Sequence, residues 1–134
     1  MKTIIMMRTI LIWVIKLIAV IILLQTLFFK FTGASESIYI FSTLGVEPYG
    51  RIGSGIIELI ASLLILIPRT TLIGALLGLV TMFGAILSHF TILGIEVQND
   101  GGFLFVLAII TFICCFILVH INRNKISSLV RLKI

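Results

Sequence analysis

Residues 51–68, RIGSGIIELIASLLILIP, form a stretch that is apolar or small apart from the terminal Arg51 and one acidic residue, Glu58. The run from Ile52 onward is long enough to enter a bilayer, at roughly 24 Å for a helix rising 1.5 Å per residue. An ionisable side chain at the centre of a membrane helix costs about 2.5–3.5 kcal/mol on insertion scales, and such residues usually have a function. We therefore expect Glu58 to face protein or water, and to be paired or protonated.

The composition of the whole chain predicts a membrane protein. Hydrophobic residues make up 60% of the chain and charged residues 11%, and the mean hydropathy is +1.33. A soluble domain carries about 25% charged residues. Because each span needs about 20 apolar residues, four spans and their connections use nearly all of the 134 residues. We predict an all-α integral membrane four-helix bundle, with residues 1–134 forming a single transmembrane domain.

The apolar runs place the four spans at about residues 9–29, 52–67, 71–93 and 102–121. The sequence PRTT after the second span predicts a tight turn, in which proline ends one helix and threonine caps the next. The connection 30–50 contains SIYIF, which is too short to span and is expected to be interfacial or re-entrant. A cleaved signal peptide is the alternative for the first span, but Lys16 interrupts its apolar core and no small-residue cleavage site follows closely.

The distribution of basic residues predicts the orientation. Most bases fall on the side that holds the N-terminus, the second turn and the tail, namely Lys2, Arg8, Lys16, Arg69, Arg123, Lys125, Arg131 and Lys133. The other side has Lys30 and Arg51 as its only bases, with the acids Glu36, Glu47, Glu96 and Asp100. The positive-inside rule therefore places both termini in the cytoplasm. We expect the basic tail to contact anionic lipid headgroups, and we expect no nucleic-acid partner.

Helix geometry brings several polar residues to one depth in the outer half of the bundle. Glu58 lies roughly 10 Å and His89 roughly 8 Å from the outer ends of their spans, each on a stripe of small and polar residues that should face the interior. The same region contains further polar candidates, namely Lys30, Arg51, Ser54 and Asp100. Asp100 is predicted to cap the fourth helix, whose dipole suits its charge.

These six residues form the predicted ligand-binding pocket, for which two interpretations remain open. In the structural one, Glu58 pairs with Arg51 or hydrogen-bonds to His89 and holds the helices in register. In the functional one, the pocket binds a small molecule, a quinone headgroup or protons, with Glu58 as proton acceptor and His89 as titratable switch. One histidine and one carboxylate are too few ligands for a metal site. His120 lies about 30 Å from the start of its helix, which counts against a b-type haem.

Small residues on the third and fourth spans predict close packing. Gly74 and Gly78 have the spacing that lets membrane helices approach closely. Cys114 and Cys115 are adjacent and would form a strained disulfide, so we expect the cysteine pair to pack as small side chains.

Three segments resemble the DoxX-like family of small four-span bacterial membrane proteins. They are QTLFFKFTGASESIYIFSTLGVEPYGRIGSGIIELIASLLILIP (25–68), GALLGLVTMFGAILSH (74–89) and GIEVQNDGGFLF (94–105). The resemblance covers about residues 20–122 and rests on K-F-x-G, R-I-G-S-G-x-x-E-L, S-H and N-D-G-G. The family takes its name from a subunit of thiosulfate:quinone oxidoreductase, and some relatives are associated with membrane redox complexes and thiol stress. Others in animals resemble receptor-assembly chaperones. The chain has no C-x-x-C, unlike relatives that handle disulfides.

The resemblance and the pocket together imply an accessory or quinone-associated subunit of a membrane redox system in the bacterial inner membrane. The chain contains no soluble redox domain, so it is expected to need a partner subunit and not to be a catalyst on its own. One alternative is a non-enzymatic assembly factor or binding module that packs on other membrane helices through Gly74 and Gly78. Another is a small-molecule or lipid transporter, which four short helices could form only as a homo-oligomer.

Overall fold

Four long helices and one short helix make up the part of the chain that the structure describes. A computed structural model describes residues 1–124. Its helices are α1 (Lys2–Thr32), α2 (Ser35–Thr43), α3 (Tyr49–Leu66), α4 (Thr71–Ser88) and α5 (Phe103–Ile121). A 3₁₀ turn, Pro68–Thr70, joins α3 to α4, and a π-helical turn, His89–Leu93, extends α4. No β-strand occurs within residues 1–124. The tail residues Lys125, Arg131 and Lys133 lie outside the described residues.

The prediction of four long apolar helices is confirmed within residues 1–124. The segments long and apolar enough to cross a membrane are Lys2–Thr32, Tyr49–Leu66, Pro68–Leu93 and Phe103–Ile121. The first helix extends beyond the predicted 9–29 at both ends, because no glycine or proline interrupts it before Gly33. Gly33 has φ 69° and ends α1 in the left-handed conformation that suits glycine.

The long helices form a closed ring in which α1 packs on α3, α3 on α4, α4 on α5 and α5 on α1. Buried apolar side chains fill the centre, namely Val20, Leu23, Ile65, Ala75, Met82, Ala108, Cys115 and Leu118. Neighbouring helices in the ring run in opposite directions, and this includes α5 and α1. As a result, α1 and α4 end where α3 and α5 begin. We call this end, which also carries α2 and the 94–102 loop, the α2 end of the bundle.

Gly74 and Gly78 serve packing within the bundle, as their spacing predicts. A Cβ on Gly74 would lie 2.6 Å from the amide nitrogen of Ile65 and 2.7 Å from the carbonyl oxygen of Ala61. A Cβ on Gly78 would lie 2.7 Å from Sγ of Cys115. The two glycines therefore bring α4 close to α3 and α5 respectively. Cys115 is fully buried in this contact, in agreement with the small-residue packing expected of it.

The turn between α3 and α4 differs from the prediction in one respect. Ile67 takes an extended conformation before Pro68, so the proline ends α3 as expected. The threonines, however, do not cap α4 with their side chains. The hydroxyl of Thr70 donates to the Leu64 carbonyl at 2.8 Å, and that of Thr71 donates to the Ile65 carbonyl at 3.0 Å. The reason is that the last carbonyls of a helix lack intrahelical partners, and these hydroxyls satisfy them.

Candidate ligand-binding cavity

A cavity of about 480 Å³ lies at the α2 end of the bundle. Its walls come from α1, α2, α4 and α5, and α3 contributes Ser54 and Glu58. Most lining side chains are apolar, and the ionisable ones are Lys30, Glu36, Glu58, His89 and Asp100. The structure thus brings together five of the six predicted site residues, because Ser54, Lys30, Glu58, His89 and Asp100 all line this cavity. Cavities of this size hold small molecules in many proteins.

Glu58 is 2% exposed and pairs with α1. Its Oε1 accepts a hydrogen bond from the ammonium of Lys30. Its Oε2 lies 3.1 Å from the hydroxyl of Thr26, which shares its one proton between this oxygen and the Leu23 carbonyl at 2.8 Å. We predicted that Glu58 contacts Arg51 or His89, and this prediction is wrong. Within the described residues, the side-chain partners of its carboxylate are Lys30 and Thr26. The cause is that Lys30 extends from the last turn of α1 toward the bundle interior, where its long side chain reaches Glu58. The two groups thus satisfy each other's hydrogen-bonding needs inside a largely apolar bundle.

Arg51 lies outside the cavity lining, contrary to the prediction. Its Nε donates to both carboxylate oxygens of Glu47, at 2.9 and 3.1 Å. One terminal nitrogen donates to the backbone carbonyl of Lys30. Arg51 thus binds the chain just before α2 and just after it. A planar guanidinium can reach two acceptors in different directions, so this residue fixes both ends of the segment that carries α2.

His89 begins the π-helical turn and is 5% exposed. Its Nδ1 lies 2.9 Å from the carbonyl oxygen of Gly94, and its ring packs edge-on against Phe105 with centroids 5.5 Å apart. Since a carbonyl oxygen only accepts, Nδ1 carries the proton, and the neutral ring then has its lone pair on Nε2. Turns of this kind occur often at functional sites. Here the turn carries the chain round so that Gly94 meets the histidine ring.

Asp100 organises the loop between α4 and α5. Its Oδ1 accepts from the amides of Val97 at 3.0 Å and Gly102 at 2.8 Å, and its Oδ2 accepts from Leu104 at 3.2 Å. The Leu104 amide belongs to the first turn of α5, so Asp100 binds the start of this helix, but the N-cap residue is Gly102 and not Asp100 as predicted. Burial raises the pKa of Asp100, but the three amides and the nearby His89 outweigh it and hold the pKa below its ordinary value.

The remaining predicted residue, Ser54, and the wall formed by α2 complete the site. The Ser54 hydroxyl donates to the Arg51 carbonyl at 3.2 Å and leaves its oxygen beside the cavity. Sequence reasoning missed the lining residues of α2, namely Glu36, Ser37, Ile40, Phe41 and Leu44. The sequence feature that could have indicated this wall is the short apolar segment SIYIF. A helix too short to span the bilayer packs on the ends of the long helices.

Fold and site together define a class: a ring of four helices of membrane-spanning length, with a largely apolar cavity at one end and an ion pair in its wall. No family model matches this chain, and comparisons with curated proteins and with solved structures also give no match.

Proposed function

We propose that this chain is a multi-pass membrane protein whose cavity binds a small amphipathic molecule with a quinone-type headgroup. In this proposal it acts as an accessory subunit of a membrane redox system. The observation that carries the proposal is the Lys30–Glu58 pair in the wall of a mostly apolar cavity. An apolar space suits the ring and tail of such a molecule, and a few fixed polar groups suit its oxygens.

The ion pair gives the site a hydrogen-bond donor rather than a proton acceptor. Glu58 is 2% exposed, and Lys30 and Thr26 occupy both of its carboxylate oxygens. An ammonium carries three N–H donors, so Lys30 keeps others beyond the one given to Glu58. Its Nζ also lies 5.6 Å from the centre of the Phe41 ring on α2. Glu58 therefore positions Lys30, and Lys30 is the group that would contact a ligand oxygen.

The resemblance to DoxX-like proteins supports a redox context and a bacterial inner membrane, and under this proposal a partner subunit supplies the redox chemistry. Both termini would lie in the cytoplasm. The two bases at the α2 end, Lys30 and Arg51, are paired with Glu58 and Glu47, whereas Lys2, Arg8, Arg69 and Arg123 lie toward the opposite end. That asymmetry supports the orientation, which a labelling experiment with single cysteines in the 94–102 loop and at residue 69 would check.

The packing of Gly74 and Gly78 argues against the assembly-factor alternative. Its predicted interaction surface was the pair Gly74 and Gly78, but both face other helices of the same bundle. Enlarging either glycine would disturb the bundle itself, so loss of a partner complex in such a variant would not identify a docking face.

A cavity-filling variant tests the proposed function. Gly84 lines the cavity, and a Cβ there meets nothing within 4 Å, so Gly84→Leu fills the space without a backbone clash. Gly53 is a matched control, because its Cβ is equally unobstructed and it does not line the cavity. We expect saturable binding of decylubiquinone, in its oxidised or its reduced form, to wild type and Gly53→Leu in lipid nanodiscs. Gly84→Leu should lose it. Equal binding by Gly84→Leu, or no saturable binding by wild type, contradicts the proposal.

A further inference from the structure

The ring of His89 offers a hydrogen-bond acceptor, and two contacts determine which nitrogen it is. The Gly94 carbonyl, 2.9 Å from Nδ1, accepts the ring proton, and the edge-on contact with Phe105 restrains the plane of the ring. Turning the imidazole by 180° about its Cβ–Cγ bond would put a ring carbon against the Gly94 carbonyl and break this hydrogen bond. The neutral ring therefore keeps Nε2 as a hydrogen-bond acceptor.

Nε2 is available to a ligand. Among the described residues it receives no hydrogen bond, although Nδ1 does have a partner. Every completely buried side-chain nitrogen or oxygen within residues 1–124 has a hydrogen-bond partner. Since Nε2 has no such partner, it is not completely buried. His89 is 95% buried, at 5% exposure, and lines the cavity. The cavity is the open space beside this residue.

Lys30, a second ionisable group in the lining, is a hydrogen-bond donor, whereas Nε2 of His89 is an acceptor. Lys30 is held by Glu58 and offers only N–H donors. A ligand that satisfies both groups must accept a hydrogen bond from Lys30 and donate one to His89. A hydroxyl group can do either, whereas the carbonyl oxygens of an oxidised quinone can only accept.

We infer that the cavity selects the reduced, hydroxyl-bearing form of its ligand, with His89 Nε2 accepting the hydroxyl proton in a hydrogen bond and Lys30 donating to the other oxygen. This inference rests on the proposed function and names the ligand class more closely as a quinol. His89 is then the residue that determines specificity between the two redox forms. An oxidised ligand would place a carbonyl oxygen against the Nε2 lone pair and leave both acceptors unsatisfied.

The test compares three probes that share one ring and one tail, in nanodiscs and under anaerobic conditions. The probes are decylubiquinol, decylubiquinone, and decylubiquinol with both hydroxyls methylated. The methylated probe separates hydrogen-bond donation from redox state, since it is reduced but cannot donate. We expect decylubiquinol to bind about ten- to a hundredfold more tightly than either of the others, which is the range for an unpaired buried polar group.

Two variants assign the preference to His89. His89→Phe keeps an aromatic ring against Phe105 and should bind all three probes with similar, weakened affinity. His89→Gln can donate or accept and should bind the oxidised and reduced forms comparably. His120→Phe, at the opposite end of the bundle, is the control and should behave as wild type. If His89→Phe fails to fold, the three-probe comparison on wild type and His89→Gln still decides the matter.

The outcomes separate this inference from the proposed function. Wild type that binds decylubiquinone as tightly as decylubiquinol, or more tightly, overturns the inference and leaves the proposed function standing. Equal binding of decylubiquinol and its methylated form also overturns the inference, because donation to Nε2 would then be irrelevant. Absence of saturable binding for all three probes overturns both.

Discussion

The ammonium of Lys30, on the last turn of α1, donates a hydrogen bond to Oε1 of Glu58, a buried carboxylate halfway along α3. The pair joins two helices that are neighbours in the ring, and it forms part of the cavity wall. Both charges lie in a largely apolar bundle, so each is tolerated because the other is present. We therefore expect the stability of the bundle to depend on the two residues jointly.

Removing one member of the pair should destabilise the bundle more than removing both. We expect Glu58→Leu and Lys30→Met each to lower the free energy of unfolding by about 3–5 kcal/mol, because each leaves an uncompensated charge inside. The double variant should be more stable than either single one, since an apolar pair replaces an ion pair. Thermal unfolding in detergent, arranged as a double-mutant cycle, measures the coupling. Additive effects of the two substitutions would contradict a direct pair.

Two glycines of α4 should respond in opposite directions to the same substitution. Gly74→Ala places a methyl group 2.6 Å from the backbone nitrogen of Ile65, and neither backbone can yield without moving a helix. We expect a loss of about 1–3 kcal/mol or more, as for overpacked cores. Gly84→Ala meets nothing within 4 Å and should instead stabilise α4 by about 0.5–1 kcal/mol through helix propensity. Unfolding midpoints of the two variants, compared with wild type, test both signs, and equal effects would exclude this account of the packing.

Much of the fold could be predicted from the sequence because the signals were local. Apolar runs predict long helices, Pro68 ends one of them, and the spacing of Gly74 and Gly78 predicts close packing. Depth along each helix was also enough to place Glu58 and His89 in one cavity. These inferences depend on the rise per residue and on helix periodicity alone.

The partners of Glu58 could not be predicted in the same way. Arg51 lies two turns away on the same stripe, but its guanidinium pairs with Glu47 in the preceding loop. Lys30 belongs to another helix, and its reach depends on side-chain direction, which sequence spacing does not encode. The wall formed by α2 was missed for a similar reason, since a helix of nine residues is placed by its contacts rather than by its own periodicity.

Arg51 should control the mobility of α2. It donates to Glu47 and to the Lys30 carbonyl, and a lysine ammonium cannot reproduce this two-directional geometry. We expect Arg51→Lys to speed amide hydrogen exchange in Ser35–Thr43 by about ten- to a hundredfold, because hydrogen bonds to charged groups contribute about 1.5–3 kcal/mol. Arg69→Lys, in the turn at the opposite end, is the matched control. Unchanged exchange in α2 would show that other contacts fix this helix.

Asp100 should make the stability of the 94–102 loop depend on pH. Its folded pKa lies below the ordinary value of 3.8, since three backbone amides and His89 favour the carboxylate despite its burial. Its stabilising contribution is therefore fully present above pH 3.8 and is lost as the pH falls through the lower, folded pKa. Asp100→Asn keeps the shape of the side chain but cannot ionise. We expect wild type to be more stable than Asp100→Asn near neutral pH, and the gap in unfolding midpoint to close under acid conditions, where the protonated acid resembles the amide. Other carboxylates titrate in both proteins, so the difference between them isolates Asp100. A gap that stays constant or widens on acidification would show that the charge of Asp100 does not hold the loop.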